Sequence, residues 1–247
     1  MKRITILMLA LSIGCAVRAQ TIVEKTVPVQ KGQTLLLHFD YPELVRITTW
    51  EKNEVGVHAS VSINSGENDD AFELSASTDV NTVSIRNLIR DMKNLPKRTT
   101  IIDGGQKITF RTHADYNKYL QEHGRAGFEM VSTGIDMEII IDIKVPRGVN
   151  TRVESVYGMV EVRSFDGPLT VLSTYGGVDA ALLEKNVGLI EAETNYGEIY
   201  TNFDARFTGG SGEKNFHLAV TAKPGTGPNY AFESKYGNVY LRKLAVN

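Results

Sequence analysis

One pattern is written four times in the second half of the chain: VESVYGMVEV at 153–162, VLSTYGGVDA at 171–180, AETNYGEIYT at 192–201 and FESKYGNVYL at 232–241. Every copy carries Ser or Thr two residues before the tyrosine, glycine directly after it, and an apolar residue two positions beyond the glycine. The tyrosines Tyr157, Tyr175, Tyr196 and Tyr236 are separated by 18, 21 and 40 residues, and Phe216 stands halfway through the last interval. A period near 20 marks stacked units rather than a sandwich, whose loops vary freely in length. We therefore expect an all-β chain forming a β-solenoid with coils of about 20 residues, Phe216 marking a degenerate fifth copy that kept its ring and lost its glycine.

Alternation along a strand assigns the faces. Val153, Ser155 and Tyr157 fall on one side, as do Val160 and Val162 beyond the glycine; Glu154, Val156 and Glu161 fall on the other. Stacked about 4.8 Å apart, the tyrosines would form offset ring pairs worth about 0.5–1.5 kcal/mol per contact. Ser155, Ser173, Thr194 and Ser234 would form a hydroxyl ladder, each bonding the next and so satisfying inward-pointing polar groups. Gly158, Gly176, Gly197 and Gly237 mark a corner that needs φ > 0 or has no room for a Cβ. Antiparallel hairpins with Tyr-Gly as a simple turn are the alternative, but a turn does not require a hydroxyl at constant offset.

Elsewhere the period is two. Val55, Val57, Ala59, Val61 and Ile63 alternate with polar or small residues, as do Met137, Ile139, Ile141, Ile143 and Val145, so both stretches read as half-buried strands. Between them, residues 64–135 open on a polar turn and predict strands at 72–76, 82–86 and 106–111. A helix is expected from Ala114 to Glu122, with Asp115 near its start and Gly124 as its stop. The basic stretch from Arg86 to Arg98 reads as a loop. The domain layout is thus a leader at 1–19 and one domain at 20–247, with 64–135 inserted and 136–247 forming the repeat array.

Lys2 and Arg3, the apolar run Ile4 to Ile13, and Val17-Arg18-Ala19 before Gln20 make up a secretory signal peptide. Ser12-Ile13-Gly14-Cys15 also loosely resembles a lipoprotein cleavage box, which would place a lipid anchor on Cys15. No other cysteine exists, so stability must come from a large core or a long hydrogen-bonded ladder. No other run reaches the roughly 18 apolar residues a membrane helix needs. Removing the leader would leave 24 basic against 29 acidic side chains, a net charge of −5; with no basic patch, nucleic acid is not an expected partner.

Three stretches together resemble the putative-adhesin family of Gram-negative envelope proteins: Lys144-Val145-Pro146-Arg147-Gly148 ahead of the first copy, the four S/T-x-Y-G-x-V/I copies, and Trp50-Glu51-Lys52-Asn53-Glu54-Val55. The resemblance covers roughly 24–63 and 137–247. It implies a right-handed, single-stranded β-helix-like fold and location in the periplasm or on the outer cell surface. It brings no catalytic residues. Asp40-Tyr41-Pro42-Glu43 stands where that family places another Tyr-Gly.

Chemistry-bearing patterns are sparse. His38, His58, His113, His123 and His217 have no metal-ligand spacing. The glycine clusters at 209–212 and 225–227 lack the Lys-Ser/Thr that phosphate binding requires. Stacking would place Glu161 beside Asp179, a carboxylate pair of the kind sugar cleavage uses. The expected function is accordingly a non-enzymatic binding or scaffold module without cofactor or metal, engaging a surface glycan or another envelope protein; Tyr200 and Tyr240, two coils apart, are expected to pack half-buried under the 64–135 insertion, with further stacking surface for sugars as the alternative. A polysaccharide-active enzyme and an envelope-stress or signalling accessory protein are the alternatives.

Overall fold

The computed structural model describes residues 20–124, 127–211 and 216–244. The expected leader and the acylation site at Cys15 lie outside the described residues.

The first strands are β1 (Thr21–Pro28), β2 (Thr34–Phe39), β3 (Leu44–Trp50) and β4 (Glu54–Ile63). From β2 onward alternate side chains are buried, as their period of two dictates. β5 (Phe72–Thr78) and β6 (Thr82–Ile89) follow, and β6 runs through Arg86 to Ile89, where the basic composition suggests a loop. β7 (Arg98–Asp103), β8 (Gln106–Phe110) and β9 (Phe128–Gly134) form a separate three-stranded sheet, with α1 (His113–His123) between β8 and β9 in the chain. The helix starts on a reciprocal cap, in which Thr112 Oγ1 accepts from the Asp115 N–H and Asp115 Oδ2 accepts from the Thr112 N–H. It stops at Gly124, whose φ is 76°.

After β10 (Met137–Pro146) each Tyr-Gly copy forms one strand, a corner and a second strand. The copies are β11 (Thr151–Ser155) with β12 (Met159–Arg163), β13 (Leu169–Ser173) with β14 (Val178–Leu182), and β15 (Leu189–Thr194) with β16 (Ile199–Thr201). β17 (Thr208–Ser211) and β18 (Leu218–Ala222) intervene before the last copy, β19 (Asn229–Ser234) with β20 (Val239–Lys243).

The expected solenoid is not what forms. Two mixed sheets assemble instead, one ordered β1-β4-β10-β3-β12-β14-β20-β16 and the other β17-β18-β15-β19-β13-β11-β2-β6-β5. A right-handed single-stranded β-helix would add coils in chain order with parallel pairing throughout. Here β10 lies between β3, to which it is parallel, and β4, to which it is antiparallel. β1, β5, β17 and β18 also pair antiparallel. The fourth copy enters between the second and the third, since β19 pairs with both β13 and β15, and β20 with both β14 and β16. The reason lies in the chain between the third and fourth copies: the β17–β18 hairpin covers the outer edge of β15, leaving the fourth copy only the inner side. The 40-residue interval is therefore a detour through a hairpin and not two periods of 20.

Equivalent positions nevertheless stand in register. Ser155, Ser173, Ser234 and Thr194 are successive cross-strand neighbours in one sheet, and Val160, Val178, Val239 and Ile199 in the other. The inner faces of the two sheets meet in a single core that includes Leu35, Leu37, Phe39, Val45, Ile47, Val153, Val171, Phe232, Val160, Val178 and Val239. Each such burial contributes about 1.5–3 kcal/mol, which is how a domain without disulfides holds together. Tyr230 is buried at the core margin, its hydroxyl donating to the Phe165 carbonyl at 2.9 Å; burial, reinforced by Asp166, pushes its ionisation up to about 12.

Candidate functional site: a ladder of stacked rings

The corner between paired strands is where the copies differ most from ordinary sheet. Past Ser155 the chain bends, so alternation breaks and Tyr157 swings outward rather than joining the core side. The four tyrosines are 45–59% exposed while the hydroxyl residues two positions earlier are buried. Parity alone places them together; the bend separates them.

The rings stack in spatial rather than chain order. Tyr157–Tyr175, Tyr175–Tyr236 and Tyr236–Tyr196 each have centroids 5.2 Å apart, with interplanar angles of 16°, 6° and 9°. Two further rings extend the series at 5.5 Å: Tyr41 upon Tyr157, and Phe216 upon Tyr196. The departure Asp40-Tyr41-Pro42-Glu43 thus supplies the first ring of the ladder. Phe216 caps the far end, 80% exposed, rather than standing between Tyr196 and Tyr236. These centroid distances lie in the offset-stacking range.

Each rung is fastened to its neighbour by backbone and hydroxyl. The Tyr175 N–H donates to the Val156 carbonyl at 2.8 Å and the Tyr236 N–H to the Thr174 carbonyl at 3.0 Å. The hydroxyls do not bond one another. Ser173 donates to the Gly158 carbonyl, Ser234 to that of Gly176 and Thr194 to that of Gly237, at 3.3, 2.8 and 2.9 Å, each reaching the glycine of the preceding rung. Ser155, on the first rung with a hydroxyl, donates to the Gly158 carbonyl of its own corner at 3.0 Å. Ser234 and Thr194 also accept from the N–H of Gly237 and Gly197.

This arrangement explains the glycine. None of the four has positive φ; what each lacks is room. A Cβ on Gly176, Gly237 or Gly197 would collide with the carbonyl group of the glycine one rung earlier, and one on Gly158 with the Pro42 carbonyl. At the first ring Pro42 stands in the place of the glycine.

The flanks of the ladder are apolar around Tyr157, at Val156 and Met159, and mostly polar around the other three tyrosines. Thr174, Lys235 and Asn195 precede the rings, with Lys235 Nζ 5.6 Å from the Tyr236 centroid. Asn238 and Glu198 follow them, joined by the Glu198 N–H donating to Asn238 Oδ1 at 2.8 Å. At the Tyr41 end an open cavity of about 620 Å³ adjoins the small sheet, lined by Tyr41, Tyr157, Ile135, Met137 and Lys107. Lys107 is held there by Asp136 and Glu138 at 2.9 and 3.0 Å.

The other candidates are occupied structurally. Glu161 and Asp179 are cross-strand neighbours, but Asp179 is gripped by Arg163 at 3.2 Å and Arg242 at 2.8 Å, and Arg163 also reaches Glu161 at 3.5 Å. Arg242 was not legible as a partner from spacing, since it arrives from the displaced fourth copy, whereas Arg163 lies two residues beyond Glu161 on the same face. Tyr200 and Tyr240 are direct neighbours, stacked at 5.2 Å on the outer face beside Arg242, and not two coils apart. His38 lies between Asp40 and Glu154 at 3.2 and 3.0 Å. Its hydrogen bond, helped by Arg152, holds the Glu154 carboxyl below the usual range. Among the described residues, no group of three or more His, Cys, Asp or Glu side chains could hold a metal, and no helix is long and apolar enough to cross a membrane.

No family model matches the chain, and no curated protein matches it. Two solved structures are similar to it at low identity. One, described as a putative cell adhesion protein from Clostridium sporogenes, shares 10% identity across 91% of this chain and 100% of its own, at a TM-score of 0.47. The other, described as a putative adhesin from Bacteroides fragilis, shares 8% identity across 91% of this chain and 98% of its own, at a TM-score of 0.22. Neither likeness is close enough to carry the fold or the function, which rest on the chain's own residues.

Proposed function

We propose that this protein is an exported, non-enzymatic binding or scaffold module of the cell envelope, and that the ring ladder is its recognition surface. One observation carries the reading: Tyr157, Tyr175, Tyr236 and Tyr196 remain about half exposed although backbone pairing fixes their positions. Large exposed aromatic area on a fixed scaffold favours binding, because little conformational freedom is left to lose. Export follows from residues 1–19, and the periplasm or outer surface of a Gram-negative cell from the family resemblance. The carboxylates a sugar-cleaving enzyme would use, Glu161 and Asp179, are tied to Arg163 and Arg242, whereas such a reaction needs one acid free to hold and release a proton.

The test compares wild type with the triple variant Tyr157→Ala, Tyr175→Ala, Tyr236→Ala, both verified as folded by circular dichroism. Capture of envelope components or glycans by the immobilised protein should fall roughly tenfold or more with the triple variant, given about 0.5–1.5 kcal/mol per aromatic contact. Tyr200→Ala, outside the ladder, should leave capture unchanged. Equal capture by wild type and the triple variant would remove the ladder from the function.

A further inference from the structure

We infer that the ladder's ligand is an extended, uncharged β-1,4-linked polysaccharide lying along the stack, one sugar to a ring. The inference rests on the ladder being the recognition surface and names what it recognises.

The ladder is periodic: three successive steps of 5.2 Å flanked by two of 5.5 Å. A ligand that contacts every ring must repeat at nearly that distance, or it loses register within a few rungs. A peptide in β conformation presents same-face side chains about 6.6–6.8 Å apart, too long a step to follow six rings. A polyproline segment rises about 3.1 Å per residue and about 9 Å per turn, which misses the spacing in both measures. An α-helix, at about 5.4 Å per turn, would keep step, but helices dock by sinking an apolar face into an apolar groove. The ladder offers no continuous apolar groove: Val156, Thr174, Lys235 and Asn195 precede the four tyrosines, and Met159, Gly177, Asn238 and Glu198 follow their glycines, so apolar and polar residues are mixed on both sides.

An extended β-1,4-linked glycan advances by about one ring spacing per sugar and joins the two chemistries the ladder offers. Its pyranose rings carry C–H groups that suit aromatic surface. Its hydroxyls suit amides, carboxylates, hydroxyls and the electropositive ring edges. Beside the four tyrosines Lys235 and Glu198 offset one another, and Asp40 and Glu43 flank the Tyr41 ring, so the ladder carries no basic field that would draw a polyanion, and a neutral polymer meets no charge penalty. Phe216, with its outer face open, offers a terminal platform. Because the rings are fixed by backbone pairing, each added sugar meets a formed subsite and should add to affinity in sequence.

Isothermal titration of the full chain with β-1,4-linked oligomers of glucose and of N-acetylglucosamine, from the disaccharide to the octasaccharide, tests this. Affinity for at least one series should rise about threefold to tenfold per sugar and level off once the oligomer covers the six rings. α-1,4-linked glucose oligomers, whose chains curl, should show no such rise. Tyr175→Ala, which interrupts the ladder centrally, should weaken binding of the hexasaccharide far more than of the disaccharide. Equal binding of α- and β-linked oligomers, affinity independent of length, or no binding of either β-linked series would overturn the inference. If no oligosaccharide binds while the triple tyrosine variant still loses envelope capture, the ligand assignment fails and the ladder stands as a binding surface. If that capture is also unchanged, both fail.

Discussion

Gly176→Ala is expected to destabilise the domain by about 3 kcal/mol or more, lowering Tm by roughly 6–12 °C for a domain of this size. The added methyl would lie inside van der Waals contact of the Gly158 carbonyl and 2.8 Å from the Met159 nitrogen. All the atoms it meets are backbone. They cannot yield by rotating a side chain, because the Tyr175 N–H to Val156 bond and the Val160 N–H to Gly177 bond, 2.8 and 2.9 Å, pin both rungs. Gly134→Ala is the control: a Cβ there meets nothing within 4 Å, and its φ is not positive. That variant should unfold within about 0.5 kcal/mol of wild type. Chemical denaturation of the three proteins measures the difference, and equal midpoints for the two alanine variants would contradict the close-approach account of the Tyr-Gly motif.

The hydroxyl rungs should be unequal, although the sequence writes them alike. Ser234 is fully buried, donates to the Gly176 carbonyl at 2.8 Å and accepts from the Gly237 N–H at 2.9 Å. Ser234→Ala removes two hydrogen bonds at once, from the half-buried Gly176 carbonyl and Gly237 N–H, at a cost of about 2 kcal/mol. Ser173 makes one longer bond, 3.3 Å to the Gly158 carbonyl. That carbonyl also receives Ser155, so Ser173→Ala should cost about 1 kcal/mol or less. Urea denaturation of both variants decides between this ordering and a hydroxyl-to-hydroxyl chain, in which the two would cost the same.

These rungs also show where the sequence stops being informative. Strands with period two are legible, as at Val55 to Ile63 and Met137 to Val145, because burying one face imposes that period on the residues themselves. The helix is legible from its ends, through Asp115 and Gly124. The register of the four copies is legible from the constant offset of hydroxyl, ring and glycine. Their spatial order is not: adjacent identical rungs look the same to a repeat whichever copy lies beside them, so nothing in the period distinguishes β19 beside β13 from β15 beside β13. What decides it is the β17–β18 hairpin covering β15, a contact between segments with no shared pattern.

The ladder was half legible for a related reason. Spacing identifies the tyrosines as a stack, but strand parity places them with the core, and only the bend after Ser155 and its equivalents turns them to solvent. Tyr41 falls outside the repeat pattern because Pro42 replaces the glycine, and only the family resemblance marks its place as that of a further Tyr-Gly corner. Its backbone φ of 60°, unusual for an aromatic residue, is part of how the first ring reaches the column. The salt bridge from Arg242 to Asp179 was hidden with the strand order that creates it, whereas that from Arg163 joins consecutive copies whose adjacency the repeat predicts.

Tyrosine nitration by tetranitromethane, read residue by residue by mass spectrometry in the free protein and in the complex captured from envelope extract, tests the recognition surface most directly. Tyr157, Tyr175, Tyr236 and Tyr196 should be modified in the free protein and protected together in the complex, while Tyr200, equally exposed but outside the ladder, is modified at the same rate in both. Unchanged modification of the four ladder tyrosines in the complex, or protection of Tyr200 in their place, would contradict the assignment.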